Sequence, residues 1–185
     1  MQDIQTSKSP PVGSASRNSQ ARSLVFREAV QPSDVDGVRN IVESTKFFSK
    51  DEVEVAVELV VARLTHGPSS GYYFLFGESD QEVVGYTCFG PIACTQASFD
   101  LYWIAVSERL RGQGVGKELI EQSEQSIKRM VGQRVYIETS SRPLYEPTRA
   151  FYLRCGYHEE ARLRNFYAPD DDKVIYVRAL QATSV

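Results

Sequence analysis

The run Arg111-Gly112-Gln113-Gly114-Val115-Gly116-Lys117 constrains this chain more than any other segment, because it joins a strand pattern to a helix pattern. The β-rich stretch from Phe99 to Val106 leads into it, and Leu119, Ile120, Ser123, Ile127 and Met130 recur on one helical face after it. Glycines at such a junction let backbone N–H groups converge on an anion at the positive end of a helix. Two phosphate motifs are excluded by spacing. A P-loop needs Gly where Arg111 stands and a hydroxyl residue where Glu118 stands. The dinucleotide fingerprint needs Gly at the position of Lys117 and a preceding alternation of strands and helices. What remains is Arg-x-x-Gly-x-Gly, which suits a pyrophosphate cradle with Arg111 and Lys117 as extra cationic donors. A tight turn that merely requires glycine is the plainer alternative.

Around this junction the chain reads as one mixed α and β domain. Residues 1–23 are rich in Ser, Gln, Pro and Thr and nearly lack large apolar side chains, so a disordered tail is expected there, with a folded domain over 24–185. Leu24 to Ala29 is a strand candidate. Pro32-Ser33-Asp34 opens a helix carrying Val35, Val38, Ile41 and Val42, and Ser49 to Glu52 fits a capping box before a second helix. Tyr72 to Gly77 and Val83 to Phe89 form a hairpin across Glu78-Ser79-Asp80-Gln81. After the glycine loop comes a helix stopped by Gly132, a strand from Arg134 to Thr139, a helix from Pro147 to Cys155 with Gly156 just past its end, and strands over Tyr157 to Arg164 and Val174 to Leu180.

Composition removes several function classes. A net charge of -3 over 185 residues, with scattered basic side chains, provides no footprint for nucleic acid. No apolar run is long enough to span a bilayer and the start lacks the core of a secretory signal, so the expectation is a cytoplasmic protein without a membrane partner. Cys88, Cys94 and Cys155 are odd in number and lack C-x-x-C spacing, and only His66 and His158 accompany them; no metal site is expected, and each cysteine reads as a small buried hydrophobe.

Two motifs together resemble the GNAT acetyltransferases. Arg111 to Gly116, directly after Ile104-Ala105-Val106, is similar to that family's Arg/Gln-x-x-Gly-x-Gly/Ala signature. Arg149-Ala150-Phe151-Tyr152-Leu153-Arg154-Cys155-Gly156-Tyr157 is similar to its second motif, an aromatic-Tyr pair followed after three residues by Gly and an aromatic. The order of elements agrees from Leu24 to Leu180. One departure is that Tyr145 and Thr148 stand where many members carry Asn and Ala.

The resemblance implies an α+β fold with a central, mostly antiparallel mixed sheet, two splayed parallel central strands, and flanking helices. It implies acetyl-CoA as cosubstrate, bound by Ile104, Ala105 and Val106 at the strand end, by Arg111, Gly112, Gln113, Gly114, Val115, Gly116 and Lys117 in the loop, and by Tyr152 of the second motif. It implies transfer of the acetyl group to a primary amine of a small molecule or peptide, with a homodimer allowed by an exposed strand edge near the C terminus. Tyr152 stands at the general-acid position, and its phenol is protonated at neutral pH; an aromatic core contact is the alternative. Asp100 and Glu138 compete as general base, each a carboxylate in an otherwise apolar strand, with a water relay as a third route. Tyr72, Tyr73, Tyr102, Phe166 and Tyr167 with Asp170, Asp171 and Asp172 would suit a cationic amine with some apolar body. A noncatalytic acyl-CoA-binding module is the rival class.

Overall fold

The computed structural model describes residues 24–180; the expected tail over 1–23 lies outside the described residues. The strands are β1 (Val25–Arg27), β2 (Tyr73–Ser79), β3 (Glu82–Pro91), β4 (Ser98–Val106), β5 (Arg134–Ser140), β6 (His158–Ala168) and β7 (Asp171–Ala179). They form one sheet in the order β1-β2-β3-β4-β5-β7-β6, antiparallel throughout except where β4 meets β5. Helices α1 (Asp34–Ser44) and α2 (Lys50–His66) cover one face, and α3 (Val115–Arg129) and α4 (Glu146–Arg154) cover the other. Each face buries its own cluster: Val38, Val42, Val60, Phe74, Phe76 and Tyr86 under α1 and α2, and Leu119, Ile120, Ile127, Phe99, Val135 and Ile137 under α3 and α4. The α+β architecture, the mostly antiparallel sheet and the parallel central pair agree with the expected fold class.

Two irregularities in β4 shape the molecule. Cys88 pairs with Trp103 and Phe89 with Leu101, so Tyr102 is an extra residue, a β-bulge. Because strand side chains alternate with period two, the bulge changes which face each residue serves. Phe99 and Leu101 before it, and Ile104 and Val106 after it, all turn to the α3 side, whereas Trp103 and Ala105 turn to the α1–α2 side. Parallel pairing with β5 covers only Ser98 with Arg134, Phe99 with Val135, and Asp100 with Tyr136. Beyond those pairs the strands part, while β5 keeps its antiparallel partner β7 to its end.

The helix boundaries follow local rules. Ser49 and Glu52 make the expected reciprocal capping box at the start of α2. The hairpin turns on Asp80 and Gln81, both at positive φ. The end of α3 differs from the expectation. Its left-handed residue is Val131, at φ 64°, and not Gly132. Gly132 is required for a different reason: a Cβ there would lie 2.3 Å from Ile127 and 2.8 Å from the Phe99 ring. Gly132→Ala is therefore expected to destabilise the fold by about 1–3 kcal/mol through overpacking. Val131→Gly should instead stabilise it by about 0.5–1 kcal/mol by relieving a β-branched residue of a left-handed backbone. Thermal unfolding of the two variants checks the opposite signs.

Candidate active site

Where β4 and β5 part, a cleft of about 1110 Å³ opens through the sheet. Ile104, Ala105 and Val106 form one wall, Glu138, Thr139 and Ser140 the other, and Tyr152 with Phe151 closes it from α4. At one end lies the glycine loop, of which Arg111, Gly112, Gly114, Gly116 and Lys117 line the cleft. Gly114 caps α3 at φ 89°, so the helix begins inside the motif with Val115 and Gly116 as its first residues. Among the described residues no backbone carbonyl accepts from the amides of Gly112, Gly114, Val115 or Gly116. Four unengaged N–H groups at a helix N-terminus are a ready seat for phosphate oxygens. The plain tight turn would need none of them free. Gly116 also lets the loop approach α4, since a Cβ would meet the Phe151 ring at 3.3 Å.

The remaining loop residues act differently. Gln113 turns its amide group onto the Arg109 carbonyl, 3.0 Å away, and Val115 buries its side chain in the α3 cluster, so each presents only backbone to the loop. Arg111 and Lys117 are exposed, paired loosely with Glu108 at 3.5 Å and Glu121 at 3.6 Å, and free to swing toward an anion.

Opposite the glycine loop the cleft is aromatic. The segment between α1 and α2 carries Phe47 and Phe48 and is fixed at both ends. Thr45 donates to the Val42 carbonyl at 2.7 Å and accepts from the Phe47 amide at 3.2 Å, and the Ser49–Glu52 box holds the far side. Phe47 meets Tyr145 edge-on with centroids 4.6 Å apart, and Phe48 lies 5.1 Å from Trp103. Tyr145 comes from the turn before α4, so the first contact bridges the cleft. The rings expected from sequence are placed otherwise. Tyr72 packs on Tyr102 and Tyr73 stacks on Phe89, away from the cleft walls, while Tyr102 and Tyr167 line it. Phe166 covers the Lys173 ammonium, 3.8 Å from its centroid. The acidic stretch is structural in part: Asp171 is buried, accepts from the Ser140 hydroxyl at 2.5 Å and pairs with Arg142 at 3.2 Å. Sequence reasoning passed over Phe47, Phe48 and Trp103, since rings in short segments carry no period that announces a site, and it marked Tyr145 only as a departure from the family motif.

Tyr152 is buried on the α3–α4 face against Tyr157 and Tyr176, and burial pushes its phenol well above the ordinary value, so it keeps its proton at neutral pH. Arg149 fixes this helix by donating to the carbonyls of Ser140 and Arg142 at 2.8 and 2.9 Å. Asp100 and Glu138 stand on the opposite face, in alternation with Leu101 and Ile137 of the α3-side cluster. Glu138 lines the cleft and pairs with Lys173 at 2.5 Å. Asp100 is not on the cleft wall; burial, reinforced by the Glu138 charge and opposed by Lys173, raises it to about 6. Acid and base candidates thus meet only through the gap between β4 and β5. Of the cysteines, Cys88 and Cys155 are buried, whereas Cys94 is exposed, contrary to expectation. It sits on a loop turn at positive φ, where no core is in reach. No group of three or more His, Cys, Asp or Glu among the described residues could hold a metal, and no helix there is long and apolar enough to cross a membrane.

A strand opened beside a glycine-capped helix, with a through-sheet cleft, agrees with the fold that the resemblance implies. The Acetyltransferase (GNAT) family model matches residues 36–157, and the chain belongs to that family. A GNAT-family protein from Desulfovibrio desulfuricans is 41% identical, with a TM-score of 0.84 over 85% of this chain and 99% of that one. An aminoglycoside 6'-N-acetyltransferase complexed with coenzyme A shares the fold at 15% identity and a TM-score of 0.68, over 87% and 99% of the two chains. The ribosomal-protein-S18-alanine N-acetyltransferase from Escherichia coli does so at 14% and 0.67, over 88% and 97%. No curated protein matches the chain by sequence.

The elevated Asp100 has a consequence for stability. A carboxyl held above its unfolded value binds its proton more tightly in the folded state, so its contribution falls as pH rises from the ordinary carboxylate range through about 6. Asp100→Asn is expected to stabilise the protein at pH 7 by about 1 kcal/mol, a figure reduced because the side chain is only partly withdrawn from water, and to have no such effect at pH 4. Urea unfolding at the two pH values measures the difference.

Proposed function

We propose that the chain transfers an acetyl group from acetyl-CoA to a primary amine. The observation that carries this reading is the set of free amides at Gly112, Gly114, Val115 and Gly116 beside the unpaired edge of β4. These amides, with Arg111 and Lys117, would hold the pyrophosphate, and the β4 edge at Ile104, Ala105 and Val106 would pair with the amide-bearing arm. Acetyl-CoA supplies the activated acetyl group. The chain's own residues then have three tasks. The gap between the strands admits an amine from the α1–α2 face. Tyr152, protonated and buried on the other face, donates a proton to the leaving sulfur. Glu138 stands beside the acceptor, and Asp100 behind it takes the amine proton through water, since a group poised near 6 is ionised at pH 7 yet basic enough to accept.

The test is calorimetric titration with acetyl-CoA, followed by thiol release with an amine panel. Binding with turnover supports the reading; binding without turnover favours the noncatalytic module, and no binding overturns both. Gly114→Val should lower CoA affinity about tenfold or more, because a side chain at φ 89° intrudes where phosphate oxygens approach the amides. Tyr152→Phe should reduce kcat by about 10²-fold or more while CoA affinity holds. In the wild type, kcat/KM should climb with pH through a midpoint of about 6, and Asp100→Asn should remove that limb.

A further inference from the structure

Resting on that reading, the geometry points to one acceptor class: a primary amine carried on a flat apolar body, such as an arylalkylamine, without an anionic group beside the amine. The acceptor end of the cleft is walled by a linked set of rings, Tyr145 to Phe47 at 4.6 Å, Phe47 to Phe48 at 5.2 Å, and Phe48 to Trp103 at 5.1 Å. All four line the cleft and are half-buried, so each keeps part of its ring exposed, Tyr145 with the Arg142 guanidinium over it. A ring entering between them gains edge and face contacts and leaves water, a gain that a wholly hydrophilic acceptor would forgo.

The charges at this end select further. Lys173, behind the wall, is matched by Glu138 at 2.5 Å, and Arg142, on the wall, meets Asp171 at 3.2 Å through Nε and lies over the Tyr145 ring, 5.4 Å from its centroid, so an acceptor carboxylate or phosphate would have to displace these partners. A polycation would need several unengaged carboxylates. Of those on the cleft wall, Glu52 accepts from the Ser49 amide at 2.7 Å, Asp171 is buried with its partners, Glu138 is paired with Lys173 at 2.5 Å, and Glu108 faces Arg111 at 3.5 Å toward the glycine loop, so no cluster of free carboxylates awaits a polycation. An apolar ring bearing a single amine asks least of this set. Arg111 and Lys117, only loosely paired with Glu108 and Glu121, lie with Arg154 at the glycine-loop end, where anionic groups belong to the acyl donor.

The experiment uses the full chain saturated with CoA, with CoA affinity measured first so that loss of cofactor binding is recognised as failure of the underlying reading. Trp103 is the only tryptophan of the chain, so its fluorescence reports occupancy of this wall. Phenethylamine should change the emission saturably; spermidine, phenylalanine and n-propylamine should not at equal concentration. In acetyl transfer, phenethylamine should exceed n-propylamine in kcat/KM by about 30-fold or more, the gain of burying one ring. Phe47→Leu and Tyr145→Leu, on opposite sides of the cleft, should each reduce that preference several-fold with CoA affinity retained. CoA binding combined with equal or better turnover of spermidine, phenylalanine or n-propylamine would overturn the inference, as would CoA binding with no phenethylamine response in either assay.

Discussion

The parting of β4 from β5 after Asp100 and Tyr136 is the constraint on which the rest of the molecule depends. A continuous sheet would satisfy every backbone group and leave no passage between its faces. Here β5 stays paired with β7 while β4 stays paired with β3, so the sheet remains one body with a wedge cut into its centre. The bulge at Tyr102 accompanies that wedge. It sets Ile104 and Val106 on the α3 face and Trp103 on the other, so that a single strand furnishes the wall for both halves of the cleft.

Separation of faces follows from the same wedge. Tyr152 sits among Tyr157 and Tyr176 beneath α4, and Asp100 sits across the sheet; burial shifts the proton affinities of both, with different results. A phenol pushed up stays neutral. A carboxyl pushed to about 6 becomes a usable base at pH 7. Arg149, bridging α4 to the end of β5, and Asp171, tying Ser140 and Arg142 to the start of β7, hold the wedge open at a fixed width.

Much of this was legible in the residues. The glycine loop was readable because it lies between a strand of period two and a helix of period 3.6, and because Ser49–Glu52, Pro147 and Gly156 punctuate the helices at positions with local physical causes. The tertiary features were not. The bulge is hidden because Phe99, Leu101, Ile104 and Val106 form one apolar run in two phases, and only pairing with β3 reveals which residue is extra. The aromatic wall brings together Phe47 and Tyr145 from distant segments, and nothing in either stretch announces the contact. Gly132 was read as a helix stop by its place in the chain, although its neighbours Ile127 and Phe99, not its backbone angle, require the missing side chain. The resemblance to GNAT enzymes carried the acceptor chemistry no further than an amine, since proteins sharing this fold are named for substrates as unlike as an aminoglycoside and an alanine of ribosomal protein S18.

Backbone amide NMR during titration with CoA tests the central claim most directly, that the wedge and the free loop amides form one seat. The account predicts that the largest shifts fall on Gly112, Gly114, Val115 and Gly116 and on the β4 residues beyond Asp100, with the outer strand β6 nearly unmoved. Binding that leaves those amides unshifted while perturbing another surface would contradict it.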